Sequence, residues 1–561
     1  MNKIKKGLTL AGAVFFCITG VFAANNEKGI DLYRAELYDA AKIFFTQQTN
    51  QSQIEQAENY YYLGQTYYRL QQNDSATYFY NKAVEVDSDY PFGYIGQGMI
   101  ALTSNDIKEA EALFKKAIGL AKKDPSVQTN IAEVYIAAKM YPQAEDALGK
   151  ARKINKKYSG IYVAEGDLLM QQNKVGEACS RYENAIAFDQ TDKVAYLKIA
   201  RVYKTINSEQ ALNYLNALVG IDVNYIPAYA ELGDIYREGG KYLQALDAYK
   251  KFISIPGVPV LQHERYAQLL YFTDQYPESL ERIDYVLKQN PSNAVMLRLK
   301  GYNNFKLENY ELAVEQLTSF IQNNPVEDII YLDYIMLGRA QIKTKQPEEA
   351  ISTLLKAAVK DSSKSEVYKE LTTAYELTDN YSEAVKMYEK FFEVESTPVV
   401  IDFFNYGQAN FFAAYQYTTP DALNAKLTPE EQAANDAELQ SYIDKGNRAY
   451  AEVISRSPES FLGYYHRARL NSLLDSVEQA RTGKTSGNAK LYYEETIQIM
   501  LEKYDAGTRN RELLESYRYL ASYYYVMEDK DNAGENYKKM LEIDPDNEGA
   551  KQVLDFLKIK Y

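Results

Sequence analysis

Small residues recur along the chain at a nearly fixed interval, each opening an apolar and aromatic stripe. Gly29, Gly64, Gly98, Ala132, Gly166, Ala200, Gly233, Ala267, Gly301, Gly338, Thr372, Gly407, Ala468 and Ala521 fall into one column. The step is 34 residues from Gly64 to Ala200, 33 to Gly233, 34 again to Gly301, then 37 and 34 to Thr372. A second small column stands twelve residues on: Ala41, Ala76, Ala110, Ala144, Ala178, Ala245, Ser279, Ala313, Ala350, Ala384 and Ala533, with Ala211 one residue early. Gly446 and Ala489 come late, after insertions. Four residues before the first column lies a bulky residue such as Tyr60, Tyr94, Tyr162, Tyr196 or Tyr229, and four after the second lies another, such as Tyr80, Phe114, Tyr182 or Tyr249. Residues four apart share a helix face, and helices approach closely only where side chains are small. The pattern therefore predicts two antiparallel helices per unit.

Turn signals separate the units: Asp124-Pro125, Asn290-Pro291, Asn324-Pro325, Ser457-Pro458 and Asp544-Pro545. The unit with Tyr60, Leu63-Gly64, Tyr67, Ala76, Tyr80 and Ala83 resembles the tetratricopeptide repeat (TPR), and so does the one with Tyr229, Leu232-Gly233, Tyr236, Ala245 and Tyr249. Tyr stands where that repeat usually has Trp, which accounts for 53 tyrosines beside no tryptophan. The resemblance covers nearly the whole chain after residue 23. It implies an all-α, right-handed superhelical solenoid of about fourteen repeats, with first helices lining a concave groove.

Regularity breaks twice. The step from Gly407 to Ala468 is 61 residues and that to Ala521 is 53. Thr428 with Glu431 reads as a capping box, so the second helix of that unit is expected to be extended at its N-terminal end. Arg481 to Asn488 reads as an exposed loop, and Ala550, Val553, Leu554 and Leu557 as one face of a terminal capping helix. The expected organisation is a signal segment at 1–23, regular repeats at 24–416, irregular repeats at 417–512, and a last repeat with its cap at 513–561. The unit around Gly29 is expected to be a frayed half-repeat.

Lys3, Lys5 and Lys6 precede an apolar stretch from Leu8 to Val21, followed by Val21-Phe22-Ala23, which reads as a secretory signal. Export to a bacterial periplasm, without a membrane span, is the expectation. Cleavage leaves Cys179 alone, so no internal disulfide forms. A net charge of -14 argues against nucleic acid as partner.

Candidate chemistry is sparse. His263 takes a packing position and His466 has no nearby Cys or His for a metal site. Gly483-Lys484-Thr485 lacks the first glycine of a phosphate loop, since Glu478 stands there. The expectation is a protein without catalytic residues, metal or cofactor. On the inner face, Arg201, Lys204, Arg237, Arg298, Lys306, Arg339, Lys343 and Lys369 form a basic stripe suited to an acidic segment or a C-terminal carboxylate, beside the bland alternative of a solvated face. Tyr61, Tyr68, Phe272, Phe305 and Phe411 are candidate aromatic anchors or else packing between units. A protein- or peptide-binding scaffold is the leading expectation. A structural subunit of an envelope assembly, bound through the convex face or the insertion, is the second. A carbohydrate-binding accessory protein is the third.

Overall fold

The computed structural model describes residues 26–48, 52–505 and 507–561, and every regular element among them is helical. The expected signal segment lies outside the described residues. Two compact units divide the chain, Met1–Met296 and Leu297–Tyr561.

The first unit runs through α1 (Glu27–Arg34) and α2 (Tyr38–Thr46), then α3 (Gln53–Arg69) and α4 (Asn73–Val86). Next come α5 (Pro91–Thr103) and α6 (Ile107–Leu120), α7 (Pro125–Ala137) and α8 (Tyr141–Ile154), and α9 (Ser159–Gln171) and α10 (Val175–Phe188). It continues with α11 (Lys193–Lys204) and α12 (Ser208–Ile221), α13 (Ile226–Glu238) and α14 (Tyr242–Phe252), and α15 (Val260–Phe272) and α16 (Tyr276–Gln289).

The division falls within α17 (Ala294–Lys306), which is followed by α18 (Tyr310–Asn323). Then come α19 (Tyr331–Lys343) and α20 (Pro347–Lys360), and α21 (Ser365–Leu377) and α22 (Tyr381–Val394). The irregular part holds α23 (Val400–Tyr415), the short α24 (Pro420–Asn424), α25 (Pro429–Arg456), α26 (Phe461–Thr482) and α27 (Lys490–Lys503). The end is α28 (Asn510–Val526), α29 (Lys530–Ile543) and α30 (Glu548–Leu557). With α24 as an insert and α30 as a cap, the helices follow one another as fourteen pairs, an all-α solenoid of repeats.

The two small columns are where paired helices meet. A Cβ on Gly64 would fall 2.5 Å from the Tyr80 ring, one on Gly166 2.3 Å from Tyr182, and one on Gly338 2.6 Å from Leu354. The second-column alanines Ala76, Ala110, Ala144, Ala178, Ala245, Ala313, Ala350, Ala384 and Ala533 are wholly buried. Each glycine thus seats the bulky residue four positions past the partner helix's alanine, which is why the spacing repeats.

Most first helices end on a residue with positive φ, at Gln71, Asn105, Lys139, Asn173, Gly240, Asp274, Glu308, Lys345 and Asp379. One left-handed residue reverses the chain between paired helices. The α11–α12 turn has none, and Asn207 instead caps α12 by accepting a hydrogen bond from Gln210 N at 3.1 Å. α11, at 12 residues, is one residue shorter than the 13-residue α9 and α13, which explains the early Ala211 and the 33-residue step. Lys345 is exposed and pays the left-handed penalty of an L side chain, so Lys345→Gly is expected to stabilise by about 1 kcal/mol. A shift in chemical-denaturation midpoint at constant slope checks it, and no gain would mean the turn carries no strain.

The long excess after Gly407 is an extended second helix. Thr428 Oγ1 accepts from Glu431 N and Thr428 N donates to Glu431 Oε2, starting the 28-residue α25. At the C-terminus, Ala550 and Leu554 of α30 are buried. At the other end the half-repeat is not frayed: Leu32 of α1 and Ala40, Ala41 and Phe45 of α2 are buried. Long-range packing supplies what an eight-residue helix lacks on its own.

Candidate binding site on the inner face of the first unit

α1 lies across first helices that are distant from it in sequence. Asn26 Nδ2 donates to Glu55 O at 2.8 Å at the start of α3. Tyr33 OH donates to Gln65 Oε1 at 3.1 Å, also in α3. From α11, Lys193 Nζ reaches Asp31 at 2.6 Å and Glu27 at 3.0 Å, and Arg201 Nη2 donates to Ala35 O at 2.9 Å. Ala35 shares an apolar cluster with Leu197, Tyr225, Tyr229 and Leu232. Beyond α1, the start of α2 presses on the α14–α15 turn so closely that a Cβ on Gly257 would fall 2.7 Å from Ala40 N. The inner face of this unit therefore carries a helix of its own chain, held in part through the carboxylates of Glu27 and Asp31.

Beside α1, the first helices α3, α5, α7, α9 and α11 line a cavity of about 940 Å³. Its wall mixes tyrosines (Tyr33, Tyr38, Tyr61, Tyr62, Tyr68), amides (Gln65, Asn130) and charges. Lys198 pairs with Asp167 at 2.8 Å, and Tyr182 OH donates to the same carboxylate oxygen at 2.8 Å. Arg34 lies against the Tyr62 hydroxyl and Arg69 against the Tyr33 hydroxyl. Glu133 of α7 faces Arg34, Lys198 and Arg69, and burial holds its carboxyl above the ordinary range despite those cations.

Two descriptions of the tetratricopeptide repeat match the chain, one at residues 101–163 and one at 57–90 and 226–257. With the paired-helix columns, this decides the repeat type. The chain carries tetratricopeptide repeats. Similar curated proteins include small glutamine-rich tetratricopeptide repeat-containing protein 2 of Saccharomyces cerevisiae, 25% identical over 173 residues, covering 29% of this chain and 50% of that one. DnaJ homolog subfamily C member 7 of Homo sapiens is 22% identical over 331 residues, covering 54% and 66%. The TPR chain thus spans half of the first relative and 66% of the second. Among solved structures, the C-terminal part of a TPR repeat-containing protein from Cytophaga hutchinsonii is 22% identical, with a TM-score of 0.38, covering 52% of this chain and 99% of that one. A tetratricopeptide repeat protein from Parabacteroides merdae is 18% identical, with a TM-score of 0.27, covering 45% and 99%.

The expected basic stripe of the TPR chain is mostly paired. Arg201 bonds Glu231 at 2.8 Å, and Lys204 bonds Glu231 at 3.0 Å and Asp234 at 2.9 Å. Arg237 meets its neighbour Glu238, Arg339 meets Glu366 and Glu370, and Lys369 meets Asp402. Arg298 grips the wholly buried Asp333 through Nε at 2.7 Å and Nη2 at 3.0 Å. Except for Arg237, these cations join successive first helices, so they tie repeat to repeat. Lys306 and Lys343 are exposed and in no ion pair among the described residues.

The expected aromatic anchors divide similarly. Tyr61 is buried, with its hydroxyl donating to Asn130 Oδ1 at 3.1 Å, so it cannot serve as a projecting anchor. Tyr68 lines the cavity, within 3.3 Å of Thr103 Oγ1. Phe272 is exposed but stacks on Tyr242 of the preceding pair, and Phe305 packs edge-on against Tyr310. Phe411 is partly buried under the Arg469 guanidinium, 4.9 Å from the ring. Packing between neighbouring helices accounts for most of them.

Arg34, Arg69 and Glu133 were not among the expected site residues. For Glu133 the sequence does hold a signal: it is the one charged residue in the helix PSVQTNIAEVYIA. For Arg34 and Arg69 it holds none, because both gain their setting from α1's distant docking.

Proposed function

We propose that this TPR protein is an exported, non-catalytic scaffold of the bacterial periplasm that binds a protein or peptide through the inner faces of its repeats. The observation that carries the reading is α1 itself. A helix that presents two carboxylates, Glu27 and Asp31, to Lys193 already lies against first helices of the first unit. Such a face can receive a helix that presents carboxylates to its basic residues. In the second unit Lys306 and Lys343 remain exposed on the first helices α17 and α19, which favours a ligand carboxylate there. For export, the support is the lysine-led apolar segment before residue 24. Among the described residues no helix is long and apolar enough to cross a membrane.

In-cell crosslinking of the tagged protein, followed by mass spectrometry, tests the reading against Lys306→Glu/Lys343→Glu. A partner captured by wild type and lost in the double variant supports inner-face binding. A partner that persists moves the contact to the insertion, where α25 runs exposed from Pro429 to Glu438 with few buried side chains. Capture of no partner above background sinks the scaffold reading.

A further inference from the structure

The cavity of the first unit has a chemistry that the scaffold reading does not use. Ligand pockets are usually apolar with a few polar groups. Here tyrosine rings, side-chain amides and charges share the wall, which suits a ligand that is polar over its whole surface. Lys198 and Arg201 have their carboxylates, Asp167 and Glu231. Arg34 and Arg69 do not: Arg34 is half-buried and Arg69 exposed, each against a tyrosine hydroxyl, and neither is in an ion pair among the described residues. A guanidinium is a rigid fork that matches an oxyanion with two parallel hydrogen bonds. Two of them on one cavity wall, each against a tyrosine hydroxyl and sharing the single Glu133 carboxylate between them, leave an excess of positive charge that an anion can take up.

The other wall groups narrow the anion's class. Gln65 Nε2 donates to Tyr61 OH at 2.8 Å, and Tyr61 OH donates to Asn130 Oδ1, so amides and hydroxyls form a connected row along the wall. Such a row exchanges hydrogen bonds with hydroxyl groups as readily as with water. Tyr68 and Tyr38 bring ring faces to the same space. Among the described residues Glu133 makes no hydrogen bond with a protein group, and it lines the cavity where it can accept from a ligand hydroxyl. Rings to stack, hydroxyls to bind and negative charge to hold describe an acidic sugar. The volume, about 940 Å³, accommodates more than one ring.

We propose that the cavity is a binding site for a short acidic saccharide, its carboxylate held by Arg34 and Arg69, its hydroxyls by Gln65, Asn130 and Glu133, and its ring faces by the tyrosines. Isothermal titration of the full chain with digalacturonate tests this, with lactose as the neutral disaccharide and acetyl-glycyl-glutamate as a peptide carboxylate. Saturable binding of digalacturonate, about tenfold or more tighter than either control and weakening as salt is raised, is expected. Arg69→Gln should weaken it by about tenfold. Should that variant fail to fold, the salt series and the controls on wild type decide alone.

Glu133→Gln gives a readout that a merely structural role would not move. Burial raises the native carboxyl's pKa, so its ionisation costs stability at every pH above that value. The variant should therefore melt no lower than wild type at pH 7 while binding digalacturonate several-fold more weakly. Equal binding of lactose, binding of the peptide alone, no binding of any probe, or full affinity in a folded Arg69→Gln protein would overturn the proposal.

Discussion

Arg298→Met is expected to cost about 3 kcal/mol of stability in the second unit, the low end for breaking a buried ion pair by removing one partner. Asp333 is wholly buried and depends on a converging set of donors: Arg298 Nε and Nη2, Tyr302 OH at 2.7 Å and Ile330 N at 2.9 Å. Arg298 also donates to Asp328 O at 2.7 Å, closing the three-residue excess between α18 and α19. Loss of the guanidinium leaves the carboxylate charged in a protein interior with two donors instead of four. Lys369 and Asp402 supply the contrast. Their pair spans 2.7 Å, but the lysine is 51% exposed, so water takes its place and Lys369→Met should cost no more than about 1 kcal/mol. Urea titration of both variants, followed by circular dichroism, measures the difference. Equal losses would show that burial of Asp333 does not set the scale. For the same reason charge reversal at Arg298 cannot report on partner binding, which is why the binding test uses Lys306 and Lys343.

Legibility in the sequence followed the range of the interaction. Gly64, Ala76 and Tyr80 lie within seventeen residues, and their contact is the local one that defines each helix pair. The capping box of Thr428 and Glu431 is more local still and marks the start of α25. Charge pairing spans a longer range. The basic stripe was visible, while its acidic partners stand about one repeat later, 30 residues on for Arg201–Glu231, 31 for Arg339–Glu370 and 35 for Arg298–Asp333. A search for carboxylates at that offset would have turned the stripe into a ladder of inter-repeat ties. The seat of α1 is different in kind. Lys193 and Asp31 are 162 residues apart, and nothing in GIDLYRAE marks where that helix docks. The cavity and its guanidiniums depend on that docking, so they became visible only in three dimensions.

Acid should destabilise this protein well above the carboxylate range, because His263 is buried and His466 half-buried among aromatic rings, and both are held uncharged. His466 lies among Phe404, Tyr465 and Tyr450, with ring centroids at 4.8, 5.2 and 6.0 Å. Burial, and then the nearby Arg469 guanidinium, push its pKa down to about 4. In the first unit His263 packs 4.5 Å from Tyr285 and meets Arg282 at 3.1 Å, and burial with that cation lowers it to about 4 as well. An unfolded histidine titrates near 6.5, so between that pH and about 4 the unfolded chain binds protons that the folded one refuses. The stability from these neutral histidines is complete above pH 6.5 and is lost as pH falls toward 4. Each is expected to cost its unit about 1–2 kcal/mol between pH 7 and pH 5, after allowing for partial solvent access. His466→Gln, neutral throughout, should hold the second unit's urea midpoint steady over that range while wild type declines. If the two decline together, the acid sensitivity has another source and the imidazole of His466 is not held neutral by its aromatic surroundings.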